Sequence, residues 1–235
     1  MNELKRQSRR AALLYFLNCL PAPFALLYVP GALIVRGDAA ATANNVRDSE
    51  ALLRAGMAVE LFCATVAIFA ILGFYRLLKP VNHKQAMALV ILWVISVPIS
   101  YLNLLNDLAA IAFAREPAFL SAVFSKAQLD AFVLFFLRLH NQGIILAQIF
   151  WGLWLFPFGL AVIRSGFIPR FVGIATIAAG SGYVISSSVS LFLPPGAHGI
   201  ADLAMILGIG ELAFLWMVIW GAKDQSTRQA VPAVA

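Results

Sequence analysis

Seven side chains place polar or ionisable groups inside otherwise apolar sequence: Glu60, Asn103, Asp107, Arg138, His140, Asn141 and Glu211. The carboxylates and the imidazole can hold or pass a proton near neutral pH, and an arginine can grip an anion through its planar fork of donors. In hydrocarbon each ionisable group costs several kcal/mol, so such residues mark ligand paths or paired charges. Asn103 and Asp107 are i,i+4 and share a helix face, and Arg138, Asn141, Gln142 and Gln148 fall within about a third of a turn of one another.

Three kinds of function fit these residue types. The leading expectation is binding or transport of a small or amphiphilic molecule through a polar funnel that opens outward, with Glu60 and Glu211 as acceptors and Arg138 or His140 at its mouth. An intramembrane enzyme would use His140 as general base, Asp107 to orient it, and Ser186, Ser187 or Ser190 as nucleophile. In a structural or partner-binding subunit, Asn103, Gln148 and the serines would only bond across helices, and Asp107 would pair with Arg138. A metal would have to recruit His140 with Glu60 or Asp107 from three different helices, so no metal and no cofactor is expected. Gly-rich phosphate loops, GxSxG, HExxH and CxxC patterns do not occur.

The elements that must carry these residues follow from composition. Of 235 residues, 62% are hydrophobic and 12% charged, with a mean hydropathy of +0.87, where a soluble domain is roughly a quarter charged. Apolar stretches cover residues 11–35, 55–78, 85–114, 131–163, 171–193 and 200–222. Each can cross a ~30 Å core, which takes ~20 helical residues, and none shows the alternation of a barrel strand. The fold expected is all-α: a single polytopic transmembrane domain over residues 1–235, a bundle of about six helices.

Basic residues orient the bundle. Eleven lie on one side, from Lys5 and Arg6 through Arg76, Lys79, Arg164 and Arg170 to Lys223 and Arg228, and with the acids Glu3 and Asp224 the balance there is +9. Across the membrane, Arg36, Arg47, Arg54, Arg115 and Lys126 meet five acids and come to zero. By the positive-inside rule both termini are cytoplasmic. At 1.5 Å per residue from the basic ends, Glu60 and Asn103 lie ~28 Å up and Asp107 ~34 Å, while Glu211 is ~18 Å from Lys223, near the membrane centre.

The remaining features are read as follows. The run Lys5–Arg10 ahead of apolar sequence imitates a signal peptide, but no small-residue cleavage site follows, and an uncleaved first helix is expected. Cys19 and Cys63, at ~14 Å and ~24 Å on this count, are too far apart in depth for a disulfide. The net charge of +6 sits at helix ends, where it meets lipid headgroups, so membrane lipids rather than nucleic acid are the expected partners. Asp38 is placed to cap a short interfacial helix. Helix five, with Gly180 and Gly182, either lines the funnel or packs against a second copy in a homo-oligomer.

Several strings carry a likeness: LYVP at 27–30, LIVRGDAAATANNV at 33–46, YRLLKPVN at 75–82, LNLLN at 102–106, AQIFWGLWLFPFG at 147–159 and RSGFIPR at 164–170. Together they resemble the bacterial membrane family catalogued as domain of unknown function 4386, over nearly the whole chain. The resemblance implies a multi-pass protein of the bacterial inner membrane and brings no activity, cofactor or active-site residues with it.

Overall fold

The computed structural model describes residues 3–223, apart from the side chains of Pro195 and His198; Asp224 and Arg228, counted above on the basic side, lie outside the described residues. The described chain is helical and contains no strand. Six helical stretches are long and apolar enough to cross a membrane: Glu3–Leu33, Glu50–Leu78, His83–Ala114, Lys126–Ser165, Arg170–Phe192 and Gly199–Ile219. Large apolar side chains such as Phe69, Leu102 and Leu203 are more than half exposed, as expected where lipid rather than water covers the surface. The chain is a multi-pass membrane protein.

Proline and glycine decide where these stretches depart from α geometry. Helix α1 (Glu3–Cys19) stops before Pro21 and Pro23, and the chain resumes as a π-helical turn, Phe24–Tyr28, leading into α2 (Val29–Leu33). Helix α3 (Ala39–Asp48) starts at Asp38, whose carboxylate accepts the Ala41 N–H at 2.8 Å. The long helices α4 (Glu50–Leu78) and α5 (His83–Ala114) follow, α5 running on through Pro98, and then the single turn α6 (Ala118–Ser121). The fourth span breaks at Trp154 into α7 (Lys126–Leu153) and α8 (Leu155–Ser165). The sequence places a kink at Pro157; the break falls three residues earlier because a proline ring displaces the carbonyl of residue i−4, here Leu153. Gly166, at φ 71°, ends α8 in the left-handed conformation. After α9 (Arg170–Phe192), the last span runs through α10 (His198–Met205) and a 3₁₀ stretch, Ile206–Leu212, to α11 (Ala213–Ile219).

The chain divides into two compact units. One comprises the described residues of Met1–Leu17, Val66–Ile95 and Gln148–Ala235. Its core is aromatic: Trp154, Phe74, Phe158 and Phe214 are fully buried, with Tyr15 edge-on to Trp154 at 5.4 Å between ring centres. Against that core α9 lies close to α7 and α8. A β-carbon built on Gly152 would sit 2.6 Å from the Gly180 carbonyl oxygen, and one on Gly159 would sit 2.5 Å from that of Gly173. Pairs 152/180 and 159/173 step in opposite directions by seven residues, the signature of antiparallel helices meeting along a seam. Such contact drives helix association in lipid, where apolar burial supplies little. Gly182 is pressed against Ala204 in the same way, so Gly173, Gly180 and Gly182 of α9 all use their missing side chains inside the chain.

The other unit comprises Asn18–Thr65 and Ser96–Ala147. Its apolar core joins Val29, Leu33, Ala43, Val46, Leu53, Ala110, Ile111, Ala114, Val133 and Leu137. Above that core the two mixed-charge links are tied together by ion pairs. Arg47 reaches Glu116 at 2.9 Å and Asp130 at 3.1 Å, Lys126 holds Asp130 at 3.0 Å, and Arg115 and Arg54 both take Glu50 at 2.7 Å. This network uses four of the five basic residues whose charges cancel in the sequence, and leaves Arg36.

Candidate functional site

The second unit encloses a cavity of about 440 Å³. One wall is apolar, built by Ala25, Leu26, Val29, Pro30 and Leu33 from the π turn and α2, Leu53 and Met57 from α4, and Leu137 and Ile144 from α7. The prolines that end α1 create this wall, since they let the chain re-enter as a separate short helix. The polar part of the lining is made by Glu60, Asp107, Arg138, His140, Asn141, Gln142 and Arg36.

At the polar end three helices meet. The His140 imidazole of α7 lies between two carboxylates, with Nε2 3.3 Å from Glu60 Oε1 of α4 and Nδ1 3.1 Å from Asp107 Oδ2 of α5. Asp107 is nearly buried, with 5% of its side chain exposed. The Asp107 oxygen lies off the axis of the ring N–H, so the buried Nδ1 makes no hydrogen bond despite the short distance. Asn103, one turn from Asp107, donates from Nδ2 to the His140 carbonyl at 2.8 Å and accepts from Asn106 through Oδ1 at 2.9 Å. It ties α5 to α7 beside the cluster. Gly143 makes room for it, since any β-carbon there would collide with the Asn103 amide.

Of the seven side chains singled out in the sequence, Glu60, Asp107, Arg138, His140 and Asn141 line this one cavity. Asn103 stands behind it as a tie between helices. Glu211 belongs to the other unit, in the 3₁₀ stretch, where its carboxyl group is hydrogen-bonded to the hydroxyls of Tyr15 and Tyr183. Asp107 pairs with His140 rather than with Arg138. Arg138 and Arg36 make no ion pair among the described residues, although every other basic residue of the two mixed-charge links does. Arg36 was not among the residues singled out; its signal was available only as the cation left over once the links are paired. Ser187 donates to Gln148 Oε1 at 3.2 Å in the first unit, and no serine, threonine or cysteine lines the cavity.

Known proteins place the chain without describing its chemistry. The family model described as "Domain of unknown function (DUF4386)" matches residues 11–221. An uncharacterised protein of Archaeoglobus fulgidus is 34% identical over 80 residues, 33% of this chain and 46% of that protein, so the match spans about half of the relative's length. No solved structure matches.

Proposed function

This chain belongs to the family described as domain of unknown function (DUF4386), a description that names no reaction, and we propose from the geometry of its cavity that it binds a small amphiphilic molecule with an anionic head. The observation that carries this reading is the pairing pattern: the only cavity-lining arginines, Arg36 and Arg138, have no ion-pair partner among the described residues, and they share the cavity lining with Leu26, Val29, Leu33, Met57 and Leu137. An apolar pocket with a few convergent polar groups is the usual form of a small-molecule site. The tail would lie on the apolar wall and the head would take charge-assisted hydrogen bonds from the arginines.

The test is native mass spectrometry of the detergent-purified protein beside Met57→Trp, which fills the apolar wall, and the double variant Arg36→Ala/Arg138→Ala. An anionic amphiphile should co-purify with the parent. Occupancy should fall roughly tenfold to a hundredfold in the arginine variant, from about 1.5–3 kcal/mol per charge-assisted hydrogen bond. Equal retention by all three proteins, or an empty parent, sinks the proposal. The enzyme reading through a serine nucleophile has no hydroxyl among the cavity-lining residues, and His140 with Asp107 is its remaining support.

The charge asymmetry of the links supports an orientation in the bacterial inner membrane with both termini cytoplasmic. In intact cells of a background lacking Cys19 and Cys63, a membrane-impermeant maleimide should label Ala40→Cys and leave Lys79→Cys unlabelled until the cells are broken. The opposite pattern would invert the topology.

A further inference from the structure

We propose that Glu60, Asp107 and His140 form a site for one divalent transition-metal ion at the polar end of the cavity. The three residues come from α4, α5 and α7, and each offers a ligand atom within 4.8 Å of the others. Rotation of the carboxylates closes that spread to the roughly 3.3 Å that separates ligands sharing a tetrahedral ion at bond lengths of about 2.0–2.1 Å. Only one imidazole nitrogen can bind a given ion, so one carboxylate is already in range of it and the other must turn toward it: Glu60 Oε1 is 3.3 Å from Nε2 and Asp107 Oδ2 is 3.1 Å from Nδ1.

Direction matters more than distance. The buried Nδ1 lies 3.1 Å from Asp107 Oδ2 without an aligned hydrogen bond, which leaves that nitrogen's lone pair available to an ion. Charge gives a second, independent argument. Among the described residues neither Glu60 nor Asp107 has a lysine or arginine partner. With a neutral imidazole the cluster carries −2 with no cation in contact; a divalent ion would neutralise it locally and leave Arg36 and Arg138, in the same cavity lining, to an anion. An imidazole with two carboxylates favours zinc, manganese, iron or cobalt over magnesium or calcium. The cavity side of the cluster stays open for water or for an anionic head; that last role alone rests on the amphiphile reading.

The test uses the full-length protein in detergent, stripped with a chelator and re-equilibrated with Zn²⁺ or Co²⁺ alone. Elemental analysis should find about one ion per chain, and Co²⁺ should bring visible ligand-field bands. His140→Ala and Asp107→Asn should lower uptake by about tenfold or more, while His83→Ala, at an exposed histidine outside the cluster, should match the parent. Parent uptake no greater than that of His140→Ala overturns the proposal, and so does equal loss in His83→Ala. If His140→Ala does not fold, the Co²⁺ spectrum of the parent decides, and absence of the bands overturns the proposal. Because no amphiphile enters the readout, failure here leaves the cavity reading standing, and failure of amphiphile binding leaves this site standing.

Discussion

Gly159→Leu is expected to yield little folded protein, and Gly159→Ala a folded protein less stable by about 1–3 kcal/mol, the range for forcing extra carbon into a well-packed interior. A β-carbon at residue 159 would sit 2.5 Å from the Gly173 carbonyl oxygen and 2.6 Å from Ile177 Cγ1, so the helices must separate before any side chain fits. Separation is costly here because close contact, rather than water exclusion, holds helices together in lipid. Gly199→Ala is the matched comparison: nothing lies within 4 Å of its β-carbon position, and removing an unneeded glycine from a helix stabilises by up to about 1 kcal/mol. Thermal unfolding followed by fluorescence-detected size exclusion ranks the three. If Gly159→Ala melts with the parent, the α8–α9 seam does not hold this unit together.

Those glycines illustrate what a sequence discloses in a membrane protein. Hydropathy over a span needs only composition, so all six crossing segments were legible, as was a break near Pro157, while the continuous apolar run 11–35 concealed the break at Pro21 and Pro23. Height along a helix was legible to within about a turn, because residues can be counted from a basic end: the count puts Glu60 at ~28 Å and Asp107 at ~34 Å, and both meet His140. Rotation about the helix axis and choice of neighbour were not, since they depend on which faces pack, and a lipid-exposed helix is apolar on both. Hence the meeting of Glu60, Asp107 and His140 could be named only as one option among several, and Asp107 could equally have faced Arg138. The grouping of Glu211 with the other six failed to account for Tyr15 and Tyr183, which are nearly two hundred and about thirty positions away in sequence. Pairing in the mixed-charge links was not legible. Their zero balance served to orient the chain, and only the structure shows which charges pair and that Arg36 is left out.

The same question of which faces pack makes the Asn103–Gly143 contact the sharpest test of how the site is positioned. Gly143→Ala puts a methyl group where the Asn103 amide now sits, so the amide must leave and its 2.8 Å bond to the His140 carbonyl must break. The cost should be about 2–4 kcal/mol, combining the overpacking range with about 1 kcal/mol for the lost hydrogen bond. Asn103→Ala alone loses that bond and leaves Asn106 without its acceptor, for about 1–2 kcal/mol. In the double variant Gly143→Ala/Asn103→Ala the two methyl groups no longer compete with an amide for one space. Its cost should therefore fall short of the sum of the singles by about 1–2 kcal/mol, within the range for residues in direct contact. Strict additivity in chemical or thermal unfolding would mean that Asn103 does not occupy the Gly143 notch. A second readout separates packing from positioning: α7 carries His140 three residues before Gly143, so a shift of that helix against α5 moves the imidazole relative to Asp107. Co²⁺ uptake should fall in Gly143→Ala and recover in part in the double variant. A merely structural contact would change stability and leave the metal spectrum as it is in the parent.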